Sequence, residues 1–223
     1  MKDIPNDWTF KSSSVADQFD QHVREQLPWY ELASGLTAHV IRHYLPENGL
    51  IYDIGASTGN IERSIADILK SRNATLIPID NSEAMASIYA GESTLEVADA
   101  ATYDYQPFDV ATLFLVLQFM SITDRRQLVK TLLSKVRDGG AIIVFDKIII
   151  EGGYAATVMR RATMAGKLAS GAPTSEIVAK ELSIGGIQRP IPETYFTFYM
   201  PNAIEIFRFG EFAGYLIEKP DNG

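Results

Sequence analysis

Between positions 50 and 145 the chain alternates two patterns: short, nearly continuous apolar runs, and longer segments whose apolar residues recur every three or four positions. The first suits strands covered on both faces; the second puts one apolar stripe on a helix. Leu50–Ile54 reads as a strand, followed by a helix over Ile61–Ser71 with Ile61, Ile65, Ile68 and Leu69 on one face. Thr75–Ile79 reads as a second strand ending at Asp80, after which Ser82 caps a helix carrying Ala84, Met85 and Ile88. Leu95–Val97 is a third strand, running out near Asp99, and Phe108–Leu117 is a long apolar run suited to the central strand. Thr123 or Asp124 caps the next helix, which turns Leu128, Leu132, Leu133 and Val136 to the core. Asp138-Gly139-Gly140 stops it and turns the chain into a fifth strand at Ala141–Phe145. Such alternation predicts a layered α/β fold with a mostly parallel sheet.

The rhythm breaks on either side of this core. Before it, Val15–Tyr30 and Glu31–Tyr44 carry helical patterns parted by Pro28. After it, helical patterns over Ala155–Leu168 and near Glu176–Leu182 lie between glycine pairs and a Ser-Gly-Ala-Pro turn. Ala203–Phe209 and Gly214–Glu218 then read as a closing hairpin. The expected division is a helical cover over 1–46, a cofactor-binding core over 47–150, a helical insertion or lid over 151–200, and a hairpin of the core over 201–223.

The candidate chemistry sits where strands end. Asp53 closes the first strand and is followed by a loop containing Gly55, Ala56 and Gly59, then by a helix from about Asn60 that points its positive end back at the loop. Glycines allow a sharp turn and a close approach of backbone to ligand. The Asp-x-Gly-x-x-x-Gly spacing differs from the Gly-x-Gly-x-x-Gly of a pyrophosphate turn and has no Gly-Lys-Ser/Thr ending. A phosphate-free nucleoside fits it, S-adenosylmethionine first. Asp80 and Asp99 end the next two strands, and ligands of open parallel sheets bind outside such ends. Asp80 is placed to accept from ribose hydroxyls and Asp99 from an adenine amine, with Asn81 and Ala100 flanking the ring.

Composition narrows the partners. With 28 acidic against 20 basic residues the net charge is −8, which disfavours direct nucleic-acid binding and attachment to anionic membranes. The absence of cysteine excludes disulfides, thiolate metal sites and cysteine nucleophiles. No signal-like segment and no run of about 20 apolar residues occurs, so a cytoplasmic chain with no membrane span is expected. His22, His39 and His43 form no recognised metal motif. Tyr195–Met200 lines a substrate pocket, covers the core or meets a second copy. Trp8 and Trp29 close over the cofactor or pack the N-terminal helices. Asp146-Lys147 is a polar pair at the substrate mouth or a surface ion pair.

The strand-end acids and glycine loop together resemble class I S-adenosylmethionine-dependent methyltransferases. Further motifs narrow the resemblance: Asp7-Trp8-Thr9-Phe10, Val15-Ala16-x-x-Phe19-Asp20, Pro28-x-Tyr30, Ile79-Asp80-Asn81-Ser82-x-Ala84-Met85, Leu117-Gln118-Phe119, the Arg125/Arg126 helix, Gly139-Gly140-Ala141, Lys147 and Phe207-x-x-Phe209-Gly210. These are similar to the carboxy-S-adenosylmethionine synthase family, which makes a carboxylated cofactor from S-adenosylmethionine and prephenate for tRNA wobble-uridine modification. The resemblance is weakest over 151–203. It implies a Rossmann-like seven-stranded, mostly parallel sheet with helices on both faces, an N-terminal helical cover, a helical insertion after the fifth strand, and a homodimer. It also implies that Tyr30 contacts the cofactor's methionine end, Gly55 its backbone cradle, Asp80 the ribose, and Asp99 with Ala100 the adenine. Two positions depart from the family: Phe114 stands where it has an asparagine, and Glu181 where it has a carboxylate-binding arginine, for which Arg189, Arg160 or Arg161 would have to substitute.

Three functions follow. The first is methyl transfer from S-adenosylmethionine to an unidentified, small-molecule substrate. No Asn/Asp-Pro-Pro-Tyr/Phe motif follows the fourth strand, and no clear general base stands out, so alignment of the reacting atoms carries most of the catalysis. The second is carboxy-S-adenosylmethionine synthesis, giving the carboxylated derivative of the cofactor. The third is a non-catalytic cofactor-binding scaffold or regulator.

Overall fold

The computed structural model describes residues 19–200 and 202–220. The Asp7–Phe10 and Val15-Ala16 motifs, and Trp8, lie outside these residues. Helices α1 (Phe19–Gln26) and α2 (Tyr30–Tyr44) precede an alternating core: β1 (Leu50–Ile54), α3 (Asn60–Ser71), β2 (Thr75–Asp80), α4 (Glu83–Ala86), β3 (Glu96–Val97), β4 (Phe108–Phe114), a 3-10 turn (Leu117–Phe119), α5 (Ile122–Lys135) and β5 (Val136–Ile149). Then come α6 (Gly153–Ala169), α7 (Thr174–Ser183), β6 (Ile191–Pro192), α8 (Thr194–Tyr199), β7 (Ile204–Phe209) and β8 (Phe212–Glu218).

The main sheet runs β3-β2-β1-β4-β5-β8-β7, with the two-residue β6 beside the end of β5 as an eighth strand. Strands β1 to β5 run parallel to one another, and β8 runs antiparallel to both β5 and β7. The chain moves outward from β1 to β3 and then returns to the other side of β1 with β4. Connections from β1 and β4 therefore leave in opposite directions, and a crevice opens at their carboxyl ends. Both faces are covered, as the apolar runs require. Tyr52, Ile54, Ala111, Leu113, Ile142 and Val144 point to the side of α5, while Ile51, Val110, Ile143 and Phe145 meet Ala33, Ile41, Ile61 and Ile65 of α2 and α3.

Local chemistry explains most element ends. Ser82 caps α4 by accepting from the Met85 amide at 3.2 Å, a cap that contributes about 1 kcal/mol. Helix α5 starts earlier than Thr123 or Asp124. Ser121 is its cap: Oγ accepts from the Asp124 amide at 3.1 Å and donates to the Asp124 carboxylate at 2.6 Å. Asp138-Gly139-Gly140 does not stop α5, which ends at Lys135; these residues lie inside β5. There the Gly139 amide donates to Lys219 O and Lys219 N to Gly140 O, both at 2.9 Å, extending the pairing toward β8. A Cβ at Gly140 would lie 2.5 Å from the Asp109 carbonyl oxygen, so that crossing of β4 and β5 requires glycine. Strand β4 ends at Phe114 rather than Leu117, because Leu115 turns to φ 64° while its amide donates to Phe145 O at 2.7 Å.

Tyr195–Met200 is largely helix α8, and it covers the core: Tyr195, Phe196 and Met200 are buried, and Phe196 stacks on Tyr215 at 3.8 Å between centroids. Trp29 likewise packs on Phe207 and Phe212. Among the described residues no helix is long and apolar enough to cross a membrane, and no group of three or more acidic, histidine or cysteine side chains is arranged to hold a metal. His39 and His43 meet edge to face on α2.

Candidate functional site

A cavity of about 370 Å³ opens at the carboxyl ends of β1, β2 and β4. Its first wall is built by β1 and the loop after it. Parallel pairing sets Asp53 of β1 beside Thr112 of β4, whose hydroxyl donates to Asp53 Oδ1 at 2.8 Å. Oδ2 is buried and has no hydrogen-bond partner among the described residues. Burial pushes the Asp53 carboxyl up to about 7; the Thr112 hydrogen bond opposes the rise, and the charges of Asp80 and Glu62 add to it.

The glycine loop is held by the sheet. The Gly55 and Ala56 amides both donate to Ile79 O, at 2.7 and 3.0 Å. Gly55 has φ 73°, and a Cβ there would strike the Val116 side chain. Gly59 has φ 82° and caps α3; a Cβ there would lie 2.9 Å from the Tyr89 ring. Packing within the chain, rather than room for a ligand, requires both glycines. Gly59 is not part of the cavity wall.

Asp80 ties the loop to α4: its Oδ2 accepts from the Ser57 amide at 2.9 Å and its Oδ1 from the Ser82 amide at 3.0 Å. Burial raises its carboxyl, and these hydrogen bonds oppose the rise. Asp99 is exposed at the cavity edge, where Oδ1 accepts from the Ala101 amide at 2.9 Å. Phe114 meets Tyr30 edge-on at 5.4 Å and stacks on Phe145 at 5.0 Å. The fold thus brings Tyr30, Asp53, Gly55, Ala56, Asp80, Asn81, Asp99, Ala100 and Phe114 to one cavity.

The wall also contains a charged cluster, of which the sequence pointed to Lys147 and Glu181 but not to Lys167 or Lys180. Lys167 from the end of α6, Lys180 and Glu181 from α7, and Lys147 from β5 converge on it. Lys167 Nζ lies 2.7 Å from Glu181 Oε1, and Lys147 Nζ 3.8 Å from Glu181 Oε2 and 3.2 Å from Gln188 Oε1. These lysines, not an arginine, surround the position where an arginine is missing. Arg189 is engaged through its backbone with Gln118 and Arg125, Arg160 faces Glu211, and Arg161 is exposed; none is in the cavity wall. The lysine charges hold the Glu181 carboxyl below its ordinary range, although burial opposes this. Lys180 is pulled down to about 6 by burial and by the Lys167 charge.

Two buried amides face the same space. Gln26 of α1 lacks a partner for either amide atom among the described residues, and so does Gln118 Oε1. Gln118 carried a local signal in the Leu-Gln-Phe motif and Lys147 one in the Asp146-Lys147 pair; Lys167 and Lys180 show none. Asp146 and Lys147 are not an ion pair. Asp146 is buried behind the cavity, accepting from the Lys147 amide at 2.9 Å and the Gln118 amide at 3.3 Å, and burial pushes its carboxyl to about 7.

No protein-family model matches the chain. Over 192 residues it is 32% identical to the carboxy-S-adenosyl-L-methionine synthase of Staphylococcus epidermidis, covering 84% of both chains. It is 31% identical over 184 residues to the enzyme of the same name from Wolinella succinogenes, covering 79% of this chain and 77% of that one. The chain belongs to the carboxy-S-adenosyl-L-methionine synthase family. Solved structures support the fold. Human N-acetylserotonin methyltransferase in complex with S-adenosylmethionine matches 95% of this chain and 57% of its own at a TM-score of 0.61 and 14% identity. An S-adenosylmethionine-dependent methyltransferase from Methanosarcina mazei matches 82% of this chain and 98% of its own at a TM-score of 0.53 and 15% identity. This chain of the carboxy-S-adenosyl-L-methionine synthase family thus shares its fold with these methyltransferases.

Proposed function

We propose that the chain binds S-adenosylmethionine in this cavity and converts it to carboxy-S-adenosylmethionine with prephenate as carboxyl donor. The observation that carries this reading is a single cavity lined by the strand-end acids Asp53, Asp80 and Asp99 and by the lysines Lys147, Lys167 and Lys180. Its volume of about 370 Å³ suits small molecules. The residues fit the cofactor: Asp53 Oδ2 is a buried acceptor with no partner among the described residues, suited to an ammonium donor. A cation there draws the Asp53 proton off and strengthens the contact. Both Asp80 oxygens accept from backbone amides, and a carboxylate has lone pairs enough to accept from a ribose hydroxyl as well. Asp99, Ala100 and Asn81 frame the adenine, and Tyr30 and Phe114 face the methionine end.

Bound in this way, S-adenosylmethionine supplies a sulfonium whose neighbouring carbon receives the carboxyl group. The lysine end holds the anionic donor. Glu181 offsets one positive charge, yet Lys147 and Lys167 together leave the end net positive. Helices α6 and α7, which supply three of these four charged residues, act as the lid over 151–200. The homodimer implied by the resemblance belongs to the same proposal, and light scattering tests it. The activity itself is tested by chromatography of prephenate incubated with the protein. Phenylpyruvate is expected only when S-adenosylmethionine is present. Unchanged prephenate alongside calorimetrically bound S-adenosylmethionine would retire the synthase reading and leave methyl transfer.

A further inference from the structure

Val23, Gln26 and Leu27 fall on one side of α1 and line the cavity together. Val23 and Leu27 are apolar and join the core cluster that contains Ile51 and Phe145. Gln26 carries an amide there, although it is only 6% exposed and neither its Nε2 nor its Oε1 has a hydrogen-bond partner. Burying both ends of an amide unpaired is costly, and an apolar side chain would pack at that point without the cost. An amide kept there calls for a ligand that both donates and accepts. The backbone around it is fixed: the Leu27 amide donates to Val23 O and the Tyr30 amide to Leu27 O, both at 2.9 Å, while the Ser170 hydroxyl, just past α6, donates to Glu25 O.

The neighbours of Gln26 say which part of a ligand it meets. Four residues on, Tyr30 lines the same cavity and meets Phe114 edge-on at 5.4 Å. Phe114 follows Thr112 by two positions on β4 and so lies on the same face of the sheet, and the Thr112 hydroxyl holds Asp53 at 2.8 Å. Ile51, two positions before Asp53 on β1, belongs to the cluster that contains Val23 and Leu27. Gln26, Tyr30, Phe114 and Asp53 therefore converge from one side of the sheet edge.

We propose that Gln26 binds the α-amino-acid group of the cofactor, its Oε1 accepting from the ammonium that Asp53 also holds and its Nε2 donating to the α-carboxylate. A neutral amide suits this zwitterion, because it offers a donor and an acceptor side by side. A lysine in its place would repel the ammonium, and a glutamate the carboxylate. The anionic co-substrate has the Lys147 and Lys167 ammonium groups and does not need the amide. This inference rests on S-adenosylmethionine's being the cofactor, but not on carboxyl transfer.

Calorimetry on the full chain tests this with S-adenosylmethionine, its decarboxylated form, and 5′-methylthioadenosine, which lacks the amino-acid group. Gln26→Met keeps the length of the side chain and removes the amide. It should weaken S-adenosylmethionine at least about tenfold, since the lost hydrogen bonds are to charged groups, and leave 5′-methylthioadenosine within about twofold of wild type. The decarboxylated form, which keeps the ammonium alone, should fall between. The urea midpoint of the ligand-free variant should equal or exceed that of wild type, because an unpaired buried amide is gone. Gln26→Glu keeps an acceptor for the ammonium but sets a like charge against the carboxylate, so it should shift preference toward the decarboxylated form; it decides the matter if Gln26→Met does not fold. S-adenosylmethionine and 5′-methylthioadenosine weakened alike would overturn the proposal. Wild-type protein that binds none of the three overturns the cofactor reading with it, whereas S-adenosylmethionine bound equally well without the amide overturns this assignment alone.

Discussion

Replacing Asp53 with asparagine should stabilise the protein and weaken its cofactor binding at the same time. The carboxyl is fully buried, its Oδ1 is held by Thr112, and its Oδ2 has no partner among the described residues. Its pKa stands at about 7 in the folded chain against 3.8 as an ordinary aspartate. Between those values the folded protein keeps a proton that the unfolded chain has released. Stability contributed by this residue therefore falls as pH rises through the window and levels off above it. At 1.36 kcal/mol per pKa unit the full fall is about 4 kcal/mol, an upper bound once local relaxation is included. The carboxamide of the variant keeps an acceptor for Thr112 without ionising. The advantage of Asp53→Asn should thus be small near pH 4, increase toward pH 7, and hold steady at pH 8, as read from urea denaturation. S-adenosylmethionine affinity should move the other way. Loss of a charge-assisted hydrogen bond costs about 1.5–3 kcal/mol, or roughly 10- to 150-fold in calorimetry. A pH-independent stability difference together with an unchanged affinity would refute the assignment of Oδ2 to the ligand.

Other consequences are local. Gly55→Ala should cost more than about 2 kcal/mol, since left-handed backbone alone costs about 1–2 kcal/mol and the new Cβ strikes Val116. Adding Val116→Ala should recover only the clash, which a double-mutant cycle in urea measures. Ser82→Ala should destabilise by about 1 kcal/mol in the same assay through loss of the α4 cap. Glu181→Gln should cost on the order of 2 kcal/mol at pH 7, because it removes the counter-charge of the buried Lys147 and Lys167. As the Glu181 carboxyl is held below its ordinary range, that cost should fade as pH falls through the acid range.

The parts of the site made by strand ends were legible because their signals are local. An apolar run ending in an acid fixes where Asp53, Asp80 and Asp99 must emerge, and the crossover rule puts those ends at one edge. The helix caps were partly legible. Ser121 and Asp124 carry a reciprocal Ser-x-x-Asp signal that the choice of Thr123 or Asp124 overlooked. Gly139-Gly140 misled because glycines that usually end a helix here allow β5 to pass close to Asp109. The lysine end was legible only at Lys147. Lys147, Lys167 and Lys180 sit on three elements, and only the folding of α6 and α7 over the sheet edge brings them to Glu181. Glu181 taken alone lacks the positive charge of the arginine it replaces, whereas its lysine neighbours restore one.

The central claim is that one cavity holds S-adenosylmethionine beside a carboxyl donor and moves the carboxyl between them. Prephenate labelled isotopically at its ring carboxyl, incubated with the protein and S-adenosylmethionine, tests it by mass spectrometry. A nucleoside heavier by one labelled carboxyl group is expected, together with unlabelled phenylpyruvate. Label left in prephenate, or released entirely as bicarbonate while the nucleoside stays unlabelled, would contradict it.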